Sequence, residues 1–130
     1  MNKAQIKIII TATSPEISGE VERRFGRAAH FLIVDVDSME WQALSNPALN
    51  ASGGAGIQAA QFIADQECDA VVSGDFGPNA YNALKTAGLP MYLFGSCQTP
   101  SEVIEQYKAG QLEQLSSPSG VHGRGSWARW

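Results

Sequence analysis

Apolar side chains recur along this chain in short runs broken by polar and glycine-rich stretches, and their spacing predicts five strands and three helices. Ile6 to Ile10 is a β-branched run interrupted only by Lys7, so it reads as a buried first strand that opens into the loop Thr11-Ala12-Thr13-Ser14-Pro15. Phe31 to Asp37 is the second strand, and Ser38-Met39 connects it to the alternating Glu40-Trp41-Gln42-Ala43-Leu44 as an antiparallel hairpin that Asn46-Pro47 ends. Ser52-Gly53-Gly54-Ala55-Gly56 leads into a helix from about Ile57 to Gln66, with Ala59, Ala60, Phe62 and Ile63 as its buried face. Asp69 to Ser73 is a fourth strand. The next helix carries Ala80, Ala83, Leu84 and Ala87 at i, i+3, i+4 and i+7, with Pro78 in its first turn and Gly88 as its stop. Pro90 to Phe94 is the fifth strand. The last helix opens on a capping box, Thr99-Pro100-Ser101-Glu102, presents Val103, Ile104 and Tyr107, and closes at Gly110.

The order β-β-β-α-β-α-β-α, a hairpin-rich half followed by helix-strand units, implies a mixed sheet with helices on its faces. The fold class this pattern predicts is a three-layer α/β fold of ribonuclease-H-like type, with strands four and five as parallel neighbours. The folded domain is expected over residues 1–112. Residues 113–130 lack apolar periodicity and mix Ser, Gly, Arg and Trp, and are read as a flexible tail.

Length and charge narrow the function. A chain of 130 residues can bury a core without disulfides or a structural metal, and two cysteines are too few for a secreted disulfide framework. No apolar run approaches the roughly 20 residues of a membrane span, and no signal-peptide core follows Lys3, so a soluble cytoplasmic protein without membrane partners is expected. A net charge of -4 argues against a nucleic-acid partner gripped by bulk charge. Within that acidic body Arg23, Arg24 and Arg27 fall within five positions.

In open α/β sheets, ligands settle beyond the carboxyl ends of parallel strands. Four segments are expected to converge there: Thr11 to Arg27, Ser52 to Gly56, Ser73 to Asn79, and Gly95 to Thr99. Glycines admit close approach of the backbone, and the free N-H groups of a helix start favour an anion, although either glycine segment taken alone is more commonly just a turn former. Gly53 to Gly56 satisfies neither a dinucleotide fingerprint nor the Gly-Lys-Ser/Thr ending of a phosphate loop, so nicotinamide and ATP sites are poorly supported. Cys97 stands just after the fifth strand, where a thiolate could ligate a soft metal; Cys68 reads as an inert small residue and His30 as structural. His122 sits in the tail. A two-metal nuclease would need clustered carboxylates, and the first strand supplies none, leaving Asp35, Asp37 and Asp75 as the candidates. A third possibility is an interaction module whose Arg124, Trp127, Arg129 and Trp130 dock a partner.

The segment Arg24-Phe25-Gly26-Arg27-Ala28-Ala29-His30-Phe31-Leu32-Ile33-Val34-Asp35 resembles the dinitrogenase iron-molybdenum cofactor biosynthesis family. The likeness continues through Ser52 to Gln58, Asp69 to Gly74, Gly77 to Ala80, Leu84 to Gly88 and Tyr107 to Leu112. It implies a small, non-catalytic domain that binds, carries or stores an iron-sulfur or molybdenum-containing metal-sulfur cluster, with a cofactor-assembly or acceptor protein as partner. Nitrogenase-linked carriers commonly have His before the Phe-Gly of the first motif, where this chain has Arg24. That exchange shifts weight from direct ligation toward charge, or toward ligation by Cys97. Arg24, Arg27, Gly54, Gly56, Gly74, Gly77 and Asn79 are accordingly expected around the cluster, with Cys97 as the candidate metal ligand.

Overall fold

The computed structural model describes residues 6–51 and 53–115. Ser52 and the tail residues His122, Arg124, Trp127, Arg129 and Trp130 lie outside them. Six strands, β1 (Lys7–Ala12), β2 (His30–Asp35), β3 (Trp41–Ser45), β4 (Ala70–Ser73), β5 (Met91–Leu93) and β6 (Glu113–Gln114), form one open sheet in the order β3-β2-β1-β4-β5-β6. The helices are α1 (Ala55–Ala64), α2 (Pro78–Thr86) and α3 (Pro100–Lys108).

The predicted hairpin is present, with Phe31 opposite Leu44 and Ile33 opposite Gln42. β1 pairs antiparallel with β2 and parallel with β4, and β4 and β5 are the expected parallel neighbours. The predicted count of five strands is corrected to six. Glu113 and Gln114 pair antiparallel with Leu93 and Tyr92, and Leu115 N-H donates to Met91 O at 2.8 Å. Two exposed polar residues held only by backbone bonds leave no hydrophobic period to read, and they fall where the sequence pattern had already ended.

β1 sits at the centre because its apolar residues fill both faces. Ile9 joins the layer beneath α1 and α2, while Ile8 and Ile10 join the layer beneath α3, and all three are fully buried. In the first layer four rings stand in a row, Phe62, Phe31, Phe25 and Phe76, with successive centroids 6.1, 5.7 and 5.4 Å apart. Phe25 belongs to no strand or α-helix. It lies in a short 3-10 turn, Phe25–Arg27, and its burial draws the arginine-bearing segment down onto the sheet. No helix among the described residues is long and apolar enough to cross a membrane.

Candidate functional site

The segment before the 3-10 turn runs extended across the carboxyl ends of β1 and β4 and is pinned from both sides. Ala12 bridges Val21, Arg24 bridges Asp75 in parallel, and Asp75 N-H donates to Arg23 O at 2.8 Å. Beneath it the buried Thr11 Oγ1 lies 2.6 Å from Glu22 O and 3.0 Å from Ser73 Oγ, which reaches Arg23 O at 3.3 Å. A Cβ on Gly74 would come within 2.8 Å of the Cα, Cβ and carbonyl oxygen of Arg23, so this approach requires glycine. Gly74 therefore seats the arginine segment. Further along, buried Asn46 donates from Nδ2 to Ala28 O at 2.8 Å and Gly26 O at 3.4 Å, which fixes the 3-10 turn against the end of the hairpin.

Extended backbone sends successive side chains to opposite faces, and it divides the three arginines. Arg23 turns toward α3, donates to Gly95 O at 2.6 Å and stacks 5.2 Å from the centroid of Phe94. Arg24 and Arg27 turn the other way. Together with Gly54, Gly56, Gly77 and Asn79 they line a cavity of about 300 Å³ between the 3-10 turn and the first turns of α1 and α2. Six of the eight expected site residues are thus brought together. Gly74 and Cys97 line a separate groove on the α3 side, where Cys97 packs with Phe94, Val103 and Ile104. The expectation that Cys97 shares the arginine mouth is corrected for the same reason that Arg23 leaves it, because the sheet and the seated segment stand between the two faces.

Both helices that open on the cavity start without a side-chain cap. The residue before α1 is Gly54 at φ 71°, and the residue before α2 is Gly77, followed by Pro78 at the first helical position. The first bonded amides are Gln58 N-H to Gly54 O and Tyr81 N-H to Gly77 O. The N-H groups of Gly56, Ile57, Asn79 and Ala80 consequently have no partner within their helices. At α3 the predicted capping box is complete: Glu102 N-H donates to Thr99 Oγ1 at 3.2 Å, and Glu102 accepts from Thr99 N-H at 3.2 Å.

Charge in the cavity is mixed. Arg24 Nε meets Glu22 at 3.3 Å, an exposed pair that leaves the terminal guanidinium nitrogens available. Arg27 is exposed, and its side chain makes no ion pair or hydrogen bond among the described residues. Asp75 also lines the cavity. Burial pushes its carboxyl above the usual carboxylate range and Glu22 adds to this, against the opposing pull of Arg24 and Arg23. No cysteine or histidine is among the described residues that line the cavity. Cys97, in its groove, is held as a thiol by burial and by the charge of Glu102, and Cys68 is pushed up to about 11 by burial and Asp69.

The carboxylates weighed for a nuclease do not meet. Asp35 stands level with Lys7 at the amino end of β1, and Asp75 lies past the carboxyl end of β4; β1 and β4 are parallel, so about 20 Å of sheet separates them. Asp35 is also committed to its turn, accepting from Asp37 N-H at 2.9 Å and Ser38 N-H at 3.1 Å, bonds that draw its carboxyl below the usual range. Among the described residues no group of three or more His, Cys, Asp or Glu could hold a metal ion. Sequence reasoning missed Phe25, Gly26 and Asn46 as the residues that position the arginines. A lone Phe-Gly between arginines carried the only signal of the first two.

The family model of the dinitrogenase iron-molybdenum cofactor matches residues 6–110. The apo form of the orange protein from Desulfovibrio gigas is similar in structure at a TM-score of 0.84 and 32% identity, covering 91% of this chain and 99% of that one. A NifB-like protein from Thermotoga follows the same path at a TM-score of 0.76 and 27% identity, covering 90% of this chain and 99% of its own. An uncharacterized protein of Methanocaldococcus jannaschii is 28% identical over 104 residues, 78% of this chain and 87% of the relative. With the arginine segment, both uncapped helices and the whole parallel half of the sheet inside the matched range, the chain belongs to the dinitrogenase iron-molybdenum cofactor family.

Proposed function

We propose that this protein binds and carries a compact anionic metal-sulfur cluster, iron-sulfur or molybdenum-containing, in the cavity between the 3-10 turn and the starts of α1 and α2. It acts as a non-catalytic cytoplasmic carrier that hands its cargo to an assembly or acceptor protein. The observation that carries this reading is the convergence of two uncapped helix N-termini with Arg24 and Arg27 on one small cavity. Free amides, helix dipoles and guanidinium groups all favour negative charge, and hydrogen bonds to an ionised acceptor are the strong ones. A volume of about 300 Å³ suits a compact ion better than a dinucleotide.

The side chains around the cavity also suggest how the cargo is held. With arginine, asparagine and backbone amides supplied and no thiolate or imidazole among the described lining residues, holding by hydrogen bonds and charge fits better than covalent ligation. Membership in a family defined by the iron-molybdenum cofactor supports the nature of the cargo. The strand order, with an antiparallel β1-β2-β3 half and a parallel β1-β4-β5 half, supports reading the fold as ribonuclease-H-like.

Anaerobic reconstitution with thiomolybdate, or with iron and sulfide, followed by metal and acid-labile sulfide analysis, tests the proposal. A coloured protein with stoichiometric metal is expected, and an Arg24→Ala/Arg27→Ala double variant should lose it. Stoichiometric uptake that the double variant retains would place the cluster elsewhere.

A further inference from the structure

The two edges of the sheet are built differently. β6, at one edge, is two residues long and carries Glu113. β3, at the other, runs for five residues, Trp41-Gln42-Ala43-Leu44-Ser45, without a charge or a proline, and its register with β2 continues without a bulge. Short length, charge, proline and bulges are the devices that keep a sheet edge from pairing, so β3 is the unprotected edge. Antiparallel strands turn alternate residues toward and away from their neighbour. Asp35 N-H donates to Glu40 O at 2.8 Å and Asn46 N-H to Ala29 O at 3.1 Å, so Gln42 and Leu44, in step between them, also bond toward β2. The amides and carbonyls of Trp41, Ala43 and Ser45 point outward and have no partner among the described residues. Met39 and Trp41, large apolar side chains at the head of this edge, are 42% and 38% exposed.

We propose that β3 pairs with β3 of a second copy of this chain, antiparallel about a two-fold axis that passes between the two Ala43 residues. In that register Ala43 faces its own counterpart, and Trp41 faces Ser45 of the other copy. Each facing pair exchanges two N-H to O bonds, so every outward group of Trp41, Ala43 and Ser45 finds a partner. The side chains suit the same register. Trp41 stands opposite Ser45 and diagonal to Ala43 of the other copy, small residues that leave an indole room to lie across the seam. Charge suits it as well. From Met39 to Asn46 the only charge is Glu40, which falls opposite Asn46, so no like charges meet although the chain carries a net -4. A strand of an unrelated protein would have to supply this match, whereas a second copy carries it by symmetry. A seam of five residues is small beside the roughly 1,200–2,000 Å² of a stable interface, so the paired population follows concentration. The axis stands perpendicular to the sheet, so the two arginine cavities open at opposite ends of the joined sheet.

Sedimentation of the full chain from about 1 µM to about 1 mM tests the pairing. The weight-average mass should rise from 13.9 kDa toward twice that value. Amide hydrogen exchange at Trp41, Ala43 and Ser45 should slow several-fold over the same range, because these N-H groups gain a partner only in the dimer. Two variants at exposed positions fix the register. Trp41→Lys/Ser45→Lys sets like charges opposite one another across the seam, and Trp41→Lys/Ser45→Glu sets opposite charges there. The second should associate about tenfold more tightly than the first, while circular dichroism of both stays that of the folded protein. A mass fixed at 13.9 kDa throughout, a dimer whose three amides stay fast, or equal association of the two variants would overturn the proposal. Three amides already slow at the monomer mass would assign the edge to this chain's own residues, and a mass that climbs past the dimer would mean open-ended association; either result also overturns it.

Discussion

Gly26 packs face to face with Gly56: a Cβ on Gly26 would stand 3.2 Å from the amide nitrogen of Gly56 and 3.3 Å from its α-carbon. The contact joins the turn that carries the arginines to the first turn of α1, and it sets how far the guanidinium groups stand from the free amides. Gly26→Ala must push these two apart by a few tenths of an ångström. A stability loss of about 1 kcal/mol is expected from the overpacking. Cluster or anion affinity should fall by more than that loss explains, read by comparing denaturation midpoints with reconstitution titrations.

Arg24→Ala and Arg27→Ala should each weaken uptake about tenfold, the worth of one charge-assisted contact. Neither change should move the melting temperature appreciably, because the Arg24–Glu22 pair is exposed and Arg27 is unpaired among the described residues. Cys97→Ser should leave uptake intact. Loss of the cluster in that variant would put it in the α3 groove instead of the arginine cavity.

Asp75 sets a pH dependence of definite sign. Its carboxyl is raised in the folded protein, so above the ordinary value of 3.8 the folded state holds a proton more readily than the unfolded chain does. The contribution of this group to stability therefore declines as pH rises from 3.8 through the raised value. Asp75→Asn should remove that decline and be the more stable protein at neutral pH. It should also bind a thiomolybdate anion more tightly, since it takes one negative charge out of the cavity; tighter binding by the unmodified protein than by the variant at pH 7 would contradict this.

Thr11→Val keeps the shape of a buried residue and removes the hydroxyl that serves Glu22 O and Ser73 Oγ. Leaving those groups short of a partner costs about 1–3 kcal/mol. Affinity for the cluster should fall alongside stability, because the same hydroxyl seats the segment that carries Arg24. Equilibrium denaturation and a reconstitution titration on the same preparation measure both.

Much of the fold was legible because each element carried its own local signal. The hairpin announced itself by alternation, α2 by its i, i+3, i+4, i+7 alanines and leucine, and α3 by a capping box that the structure reproduces bond for bond. β6 carried no such signal, since Glu113 and Gln114 are strand residues only by virtue of the neighbour they pair with. At the site, glycines beyond strand ends were legible as places of close approach, but not what approaches. At Gly74 it is the backbone of Arg23 and at Gly26 that of Gly56, whereas Gly54, Gly56 and Gly77 line the cavity. The separation of Arg23 from Arg24 depends on an extended bridge to Asp75 more than fifty residues away, which no local pattern encodes.

The contrast between a fully capped α3 and two helices left open gives the molecule an internal clock for its own loading. Backbone amides without a partner exchange their hydrogens with solvent quickly, and those that gain one exchange slowly. In heavy water Gly56, Ile57, Asn79 and Ala80 should thus take up deuterium early in the empty protein and late in the filled one, while Glu102, bonded in either state, keeps constant time. Four amide signals against one internal standard would then read occupancy without reference to colour, metal content or the identity of the cargo.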